Sequence, residues 1–152
     1  MAEISLTGKD TIVINGRVLN NFADGDTCKL DYPNDLSVIK TGKNGNSIYA
    51  FQYSGLQCTM ELRVLLGSSD DAFLNALLSS FISNPPGFTL MNGEFIKNIG
   101  DGSGNISPTS YITSGGTFKK NVPALENADG DTNQAIAVYM LHFTNAPRQV
   151  NM

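Results

Sequence analysis

The most regular alternation of apolar and polar positions runs from residue 56 to 66. Cys58, Met60, Leu62 and Val64 fall on one side of an extended chain, and Thr59, Glu61 and Arg63 on the other. That period of two predicts an antiparallel strand with one buried face. Shorter β-prone runs surround it, separated by turn-forming pairs. Residues 11–15 and 17–22 pivot about Asn15-Gly16, which predicts a two-residue hairpin. Residues 28–32 stop at Pro33, which has no N–H to give to a ladder. Residues 88–91 and 94–97 flank Asn92-Gly93, predicting a further hairpin of the same kind. In residues 134–144, Ala135, Ala137, Tyr139, Leu141 and Phe143 alternate with Ile136, Val138 and Met140. A strand apolar on both faces belongs in the middle of a sheet or at an interface.

One segment has a helical period instead. Ser68 is a good N-cap, Asp70 and Asp71 suit the positive end of a helix dipole, and Pro85-Pro86 end the element, giving a helix over 69–83. Phe73, Leu74, Leu77, Leu78, Phe81 and Ile82 form the stripe that packs on a core. The opposite face, Asn75, Ala76, Ser79, Ser80 and Ser83, carries no charge. Residues 100–116, rich in Gly and Ser, are expected to form a long loop. The pattern as a whole describes a mostly antiparallel β protein with one helix, in a single domain spanning 1–152.

The hairpin at 36–53 changes the picture. Two arms rich in Val, Ile, Tyr and Phe flank Asn44-Gly45, and they carry Tyr49, Phe51 and Tyr53 with no neighbouring segment suited to cover them. Long aromatic edges template further pairing, a hazard for a monomer and an asset for a subunit that polymerises. Lys40 and Lys43 make the hairpin tip basic.

Composition points the same way. The chain has 152 residues, of which only 16% are charged, and its polarity rests on Ser, Thr, Asn and 15 Gly. Globular domains usually carry about 25% charged residues. A net charge of −4 argues against a nucleic-acid reader, which shows a clustered basic footprint. It leaves room for a conduit whose wall repels phosphates. No basic segment precedes an apolar run at the start of the chain, so no secretory leader is expected, and no apolar stretch has the length of a bilayer span.

Catalytic chemistry is scarce, and the sequence predicts no catalytic, cofactor or metal site. Cys28 and Cys58 read as reduced, half-buried strand residues without zinc spacing. His142 sits within a strand with no nucleophile elbow to serve. Gly100-x-Gly102-x-Gly104 lacks the spacing, the lysine and the helix of a phosphate loop. The pentapeptide Ala-Asp-Gly-Asp-Thr occurs twice, at 23–27 and 128–132, and neither copy continues as a calcium loop. Each is either a plain Asp-Gly turn or a way to set two carboxylates, Asp24 and Asp26 or Asp129 and Asp131, at one end of the molecule.

The order of these features resembles the tail tube proteins of contractile-tailed bacteriophages and their prophage-derived relatives. The resemblance rests on Gly8-Lys9-Asp10 leading into an Asn-Gly hairpin, the long hairpin insertion, the amphipathic helix, and a late strand ending Phe143-Thr144-Asn145-Ala146-Pro147. It is strongest from Gly115-Gly116-Thr117-Phe118-Lys119-Lys120 through Asn127 and Thr132 to the C-terminus. It implies an antiparallel two-sheet β-sandwich or barrel with one flanking helix and an inserted hairpin. It implies no cofactor, and it implies six copies in a ring, with rings stacked into a tube that conducts DNA without binding it specifically. Lys40, Lys43, Asn44, Gly45, Tyr49 and Phe51 would then bridge adjacent rings. The acidic turns at Asp24, Asp26, Asp129 and Asp131 would be able to meet the basic tip. A surrounding sheath and tail initiator and terminator proteins are the implied partners, and the virion tail, assembled in the host cytoplasm, the implied location. Two other readings stay open: a tube of a phage-like injection particle or type VI secretion system conducting protein, and a monomeric β-sandwich module binding a ligand such as carbohydrate.

Overall fold

The computed structural model describes residues 4–6 and 10–150. Of the resemblance motifs, Gly8 and Lys9 lie outside the described residues. The fold is mainly β and antiparallel, as the pattern implied. It contains β1 (Ser5–Leu6), β2 (Thr11–Ile14), β3 (Arg17–Val18), β4 (Cys28–Asp31), β5 (Ser37–Thr41), β6 (Ser47–Phe51), β7 (Cys58–Leu65), α1 (Ser69–Ser83), β8 (Met91–Gly100), β9 (Ile106–Lys120), β10 (Ile136–Asn145) and β11 (Arg148–Val150). Nine strands form one sheet in the order β3-β2-β8-β9-β10-β7-β4, with β1 added to β8 and β11 to β9. β5 and β6 form a second, separate sheet.

The large sheet curls back on itself. Segment 17–23 bonds to β2 at its start, where the Leu19 N–H donates to the Ile12 carbonyl at 2.9 Å. At its end it bonds to β7, through Ala23 N–H to Arg63 O at 3.0 Å and Leu65 N–H to Asn21 O at 2.9 Å. That corner joins the two flanks of the sheet and encloses a single core. Met60, Leu62 and Val64 of β7 are fully buried there with Ile14, Met91, Tyr139, Leu141 and Phe143. Each such side chain contributes about 1.5–3 kcal/mol by leaving water. The alternation in β7 therefore falls as the sequence predicted. β10 is an interior strand of the sheet, between β7 and β9, with Ala137, Tyr139, Leu141 and Phe143 inward and Ile136, Val138 and Met140 half-buried on the other face.

Two expectations fail here. Asn92-Gly93 makes no hairpin: it lies inside β8, which runs unbroken through it with a register shift between Met91 and Gly93. A Cβ on Gly93 would lie 2.5 Å from the Val13 carbonyl oxygen, so glycine serves a close strand approach there. Residues 100–116 are not a long loop either. Only 101–105 turn, where the Asp101 N–H donates to Asn105 O at 3.1 Å, and β9 begins at Ile106. Two of its glycines are packing sites: a Cβ on Gly116 would meet the Phe143 ring at 2.4 Å, and one on Gly115 the Thr144 hydroxyl at 2.3 Å, while Gly102 and Gly104 take positive φ in the turn.

α1 begins as expected. The Ser68 hydroxyl accepts from the Asp71 N–H at 3.2 Å, and the Asp71 carboxylate accepts from the Gly67 N–H at 2.8 Å. Leu74 and Leu78 are buried, and Leu77 and Phe81 pack beside them. The stripe is narrower than predicted, because Ile82 is 59% exposed. Two carboxylates lock the helix to the sheet. Asp71 accepts from the buried Tyr139 hydroxyl at 2.6 Å. Asp70, 1% exposed, accepts from the N–H groups of Asn20 and Asn21 at 2.7 and 2.8 Å and from Arg17 Nε at 3.1 Å. Burial alone would raise the Asp70 pKa, but the Asn21 and Asn20 amides and the Arg17 guanidinium outweigh it and hold the carboxyl below its ordinary value.

A carboxylate whose pKa is lower in the folded state stabilises that state above its unfolded pKa and ceases to do so as the pH falls through the folded value. Asp70→Asn is expected to lower the unfolding free energy at neutral pH by about 2 kcal/mol. The gap between the two proteins should close as the pH falls below the ordinary aspartate range and through the lower folded value. Urea titrations at neutral pH and at successively more acidic pH measure both effects.

Candidate functional site: an unpartnered hairpin

The hairpin 36–53 is inserted between β4 and β7, and its base is built to hold it. β4 ends before Pro33. The Asn34 side-chain amide then donates to Ser54 O at 3.2 Å, with the Gln57 side-chain oxygen 3.5 Å away. The Gln52 N–H donates to Leu36 O at 2.7 Å. Gly55 is buried against the opposite arm, where a Cβ would lie 2.5 Å from Asp35 O and 2.6 Å from Leu36 Cα. Only a residue without a side chain lets the two arms close here.

Beyond the base, the pairs Ser37–Phe51, Val38–Ala50, Ile39–Tyr49, Lys40–Ile48 and Thr41–Ser47 run to the tip. There the Gly42 N–H donates to Asn46 O at 2.7 Å and the Gly45 N–H to Gly42 O at 3.1 Å, with Gly45 at φ +86. The turn thus loops Lys43, Asn44 and Gly45, and the positive φ falls on Gly45, where glycine is at ease.

Partners across an antiparallel ladder share a face. Ile39, Tyr49 and Phe51 therefore stand together, and Tyr53 adds an edge-on contact to Phe51 with ring centroids 5.1 Å apart. Their exposures are 60%, 74%, 56% and 80%. Lys40 and Ile48 stand on the other face. Tyr49, Phe51 and Tyr53 stand out in the sequence, whereas Ile39 joins their face only through its pairing with Tyr49. Below the arm, Tyr32, Leu36, Leu56, Ala146, Pro147 and Arg148 line a pocket of about 530 Å³. The Tyr32 hydroxyl donates to the Ala146 carbonyl beside it.

The acidic turns lie elsewhere. Asp24, Asp26, Asp129 and Asp131 are all exposed. The Ala23 N–H bonds to Arg63 O and the Leu66 N–H to Ala135 O, so both turns leave the sheet at the C-terminal end of β7. The hairpin joins at its N-terminal end. Identical pentapeptides do different work there. Asp131 accepts from the Asn133 N–H at 3.1 Å and from the Asn127 side chain at 2.8 Å, shaping a 3-10 turn over Thr132–Ala135. Asp24 instead offers its backbone carbonyl to Arg63 Nη1 at 3.3 Å.

The remaining candidates are spread through the sheet. Cys28 and Cys58 are free thiols, and burial pushes their pKa values up to about 12 and about 11. His142 is exposed on β10 between Thr59 and Thr117. Among the described residues, no group of three or more His, Cys, Asp or Glu is placed to hold a metal ion, and no helix is long and apolar enough to cross a membrane. No model of a protein family matches the chain, and no curated protein matches it.

Gly55→Ala forces the arms of the hairpin apart at the base while leaving the nine-stranded sheet in place. Limited proteolysis is expected to cut within 36–53 about tenfold faster than in the wild type, with the first cuts confined to that segment.

Proposed function

We propose that this chain is the structural subunit of a phage tail tube, six copies closing into a ring and rings stacking through the hairpin into a tube that conducts DNA. The observation that carries this reading is the hairpin itself: a separate two-stranded sheet with Ile39, Tyr49, Phe51 and Tyr53 exposed along one face. An isolated two-stranded hairpin is only marginally stable in water, and its open edges invite pairing. Each of those side chains would contribute about 1.5–3 kcal/mol when covered. Further support comes from the helix face of Asn75, Ala76, Ser79, Ser80 and Ser83, all exposed and uncharged, and from exposed Leu6, Ile106, Ile112 and Val150 around the distal part of β8 and β9. A net acidic subunit suits a lumen through which phosphates must pass without sticking. No reaction enters this mechanism; its steps are assembly and conduction. A sheath and proteins that start and stop the tube are the partners it calls for.

Negative-stain electron microscopy of the untagged protein over a concentration series tests the reading. Hollow rings or tubes are expected, and a monodisperse monomer at every concentration overturns it. Deleting residues 42–46 should leave a folded subunit, with unchanged far-ultraviolet circular dichroism, that forms no tubes. Normal tubes from that deletion would remove the hairpin from the mechanism.

A further inference from the structure

Asn15-Gly16, Asn44-Gly45 and Asn92-Gly93 share one reactive sequence. When glycine follows asparagine, the next backbone nitrogen can reach the side-chain carbonyl carbon, because no Cβ obstructs the approach. The folded chain treats the three pairs differently.

Two of them lock each other. The Asn15 N–H donates to the Asn92 carbonyl at 2.9 Å, and the Asn92 N–H donates to the Asn15 side-chain oxygen at 3.1 Å. The Asn15 side chain is thereby tied to β8 and is not free to swing onto the Gly16 nitrogen. Gly93, the attacking residue of the other pair, is buried, with Ile14 opposite it on β2 and Thr113 opposite it on β9. Reaction at either pair requires the sheet to open there.

Asn44 has no such restraint. It and Gly45 are exposed, and its side chain makes no hydrogen bond among the described residues. The Gly45 N–H donates to the Gly42 carbonyl at 3.1 Å, inside an exposed turn where water can replace that bond. The hairpin 36–53 holds Lys40 and Lys43 and no acid. Their positive field favours the anionic nitrogen and the oxyanion through which such a reaction passes.

We propose that Asn44 is a self-modifying site, its side-chain amide giving way to a carboxylate in the folded subunit while Asn15 and Asn92 keep theirs. Hydroxide takes the proton from the Gly45 nitrogen, which bonds to Asn44 Cγ. The Cγ–Nδ2 bond then breaks, and Nδ2 leaves as ammonia with a proton from water. The cyclic imide so formed takes up one water. Opening at Cγ leaves aspartate; opening at the backbone carbonyl carbon leaves isoaspartate, whose main chain runs through the side chain. Nothing is oxidised or reduced. Each event adds one negative charge, taking the hairpin from +2 to +1. Isoaspartate also lengthens the turn that the Gly42 N–H closes onto Asn46 O. The reaction belongs to the single subunit and does not depend on self-assembly.

The test holds the wild-type protein at mildly alkaline pH and samples it over time. Peptic mapping in acid, where cyclisation is slow, reads by mass the fraction of each asparagine converted. Asn44 is expected to react at least about tenfold faster than Asn15 or Asn92, since those two wait on local opening of the sheet. Isoelectric focusing should show an acidic band that accumulates in the wild type and scarcely forms in Asn44→Gln, whose longer side chain closes a larger ring more slowly. In urea, with the lock gone, the three pairs should react at comparable rates. The proposal is overturned if Asn44 in the folded protein keeps its amide as long as the other two. It is equally overturned if the same ranking persists in urea, which would put the cause in the flanking residues and not in the fold.

Discussion

A nine-stranded antiparallel sheet can bury one face in so short a chain only by curling, and here the curl depends on a single corner. Segment 17–23 belongs to β2 at one end and to β7 at the other, and Asp70 holds it there. With two backbone N–H groups and Arg17 converging on one buried carboxylate, the corner, the helix N-terminus and the core share one anchor. Leaving that carboxylate unpaired would expose the full cost of burying a charge. Tyr139 ties the next residue, Asp71, to the interior strand β10, so the helix is fixed to the sheet at two consecutive positions. Burial and the neighbouring carboxylate push the Tyr139 phenol pKa upward, which keeps it a hydrogen-bond donor.

β5 and β6 stand outside this sheet as a separate pair. The arm they form leaves from the end of β4 and returns at the start of β7, with Gly55 and Asn34 pinning its base. The apolar face it presents stays exposed among the described residues. A hairpin of five-residue strands gains little from its own ladder. Its stability depends on the base, and in the proposed tube covering its aromatic face and ordering it would be coupled events.

Much of this was legible from local pattern. The alternation in β7, the Ser68 cap with its acidic first turn, the Asn15-Gly16 turn and the Asn44-Gly45 tip are set by residues within a few positions of one another, and each formed where expected. What misled were glycines. Gly93, Gly115 and Gly116 occur in runs that look like turn or loop, yet each makes room for a strand or ring distant in sequence. Local chemistry cannot separate a glycine needed for its φ from one needed for its missing Cβ. The same limit hid Asp70, which reads as an ordinary first-turn acid until Arg17, Asn20 and Asn21 arrive from about 50 residues away. It also hid the shared face of Ile39 and Tyr49, which needs the register.

Charge and apolar surface have separate jobs in the proposed stack. An exposed lysine–carboxylate pair is worth at most about 1 kcal/mol, so Lys40 and Lys43 cannot hold two copies together. The aromatic face can, but an apolar face does not distinguish one orientation of its partner from another. Adhesion from Tyr49, Phe51 and Tyr53 combined with direction from the lysines gives a contact that is individually weak and uniformly oriented. Repeated around a ring, weak contacts act together, because each one formed raises the effective concentration of the next. A lone subunit then stays unjoined while a completed ring offers a full set of sites, and growth from an existing end is favoured over new starts. That behaviour follows from dividing the interface in two, and it suits a polymer whose starting point must be chosen by another protein.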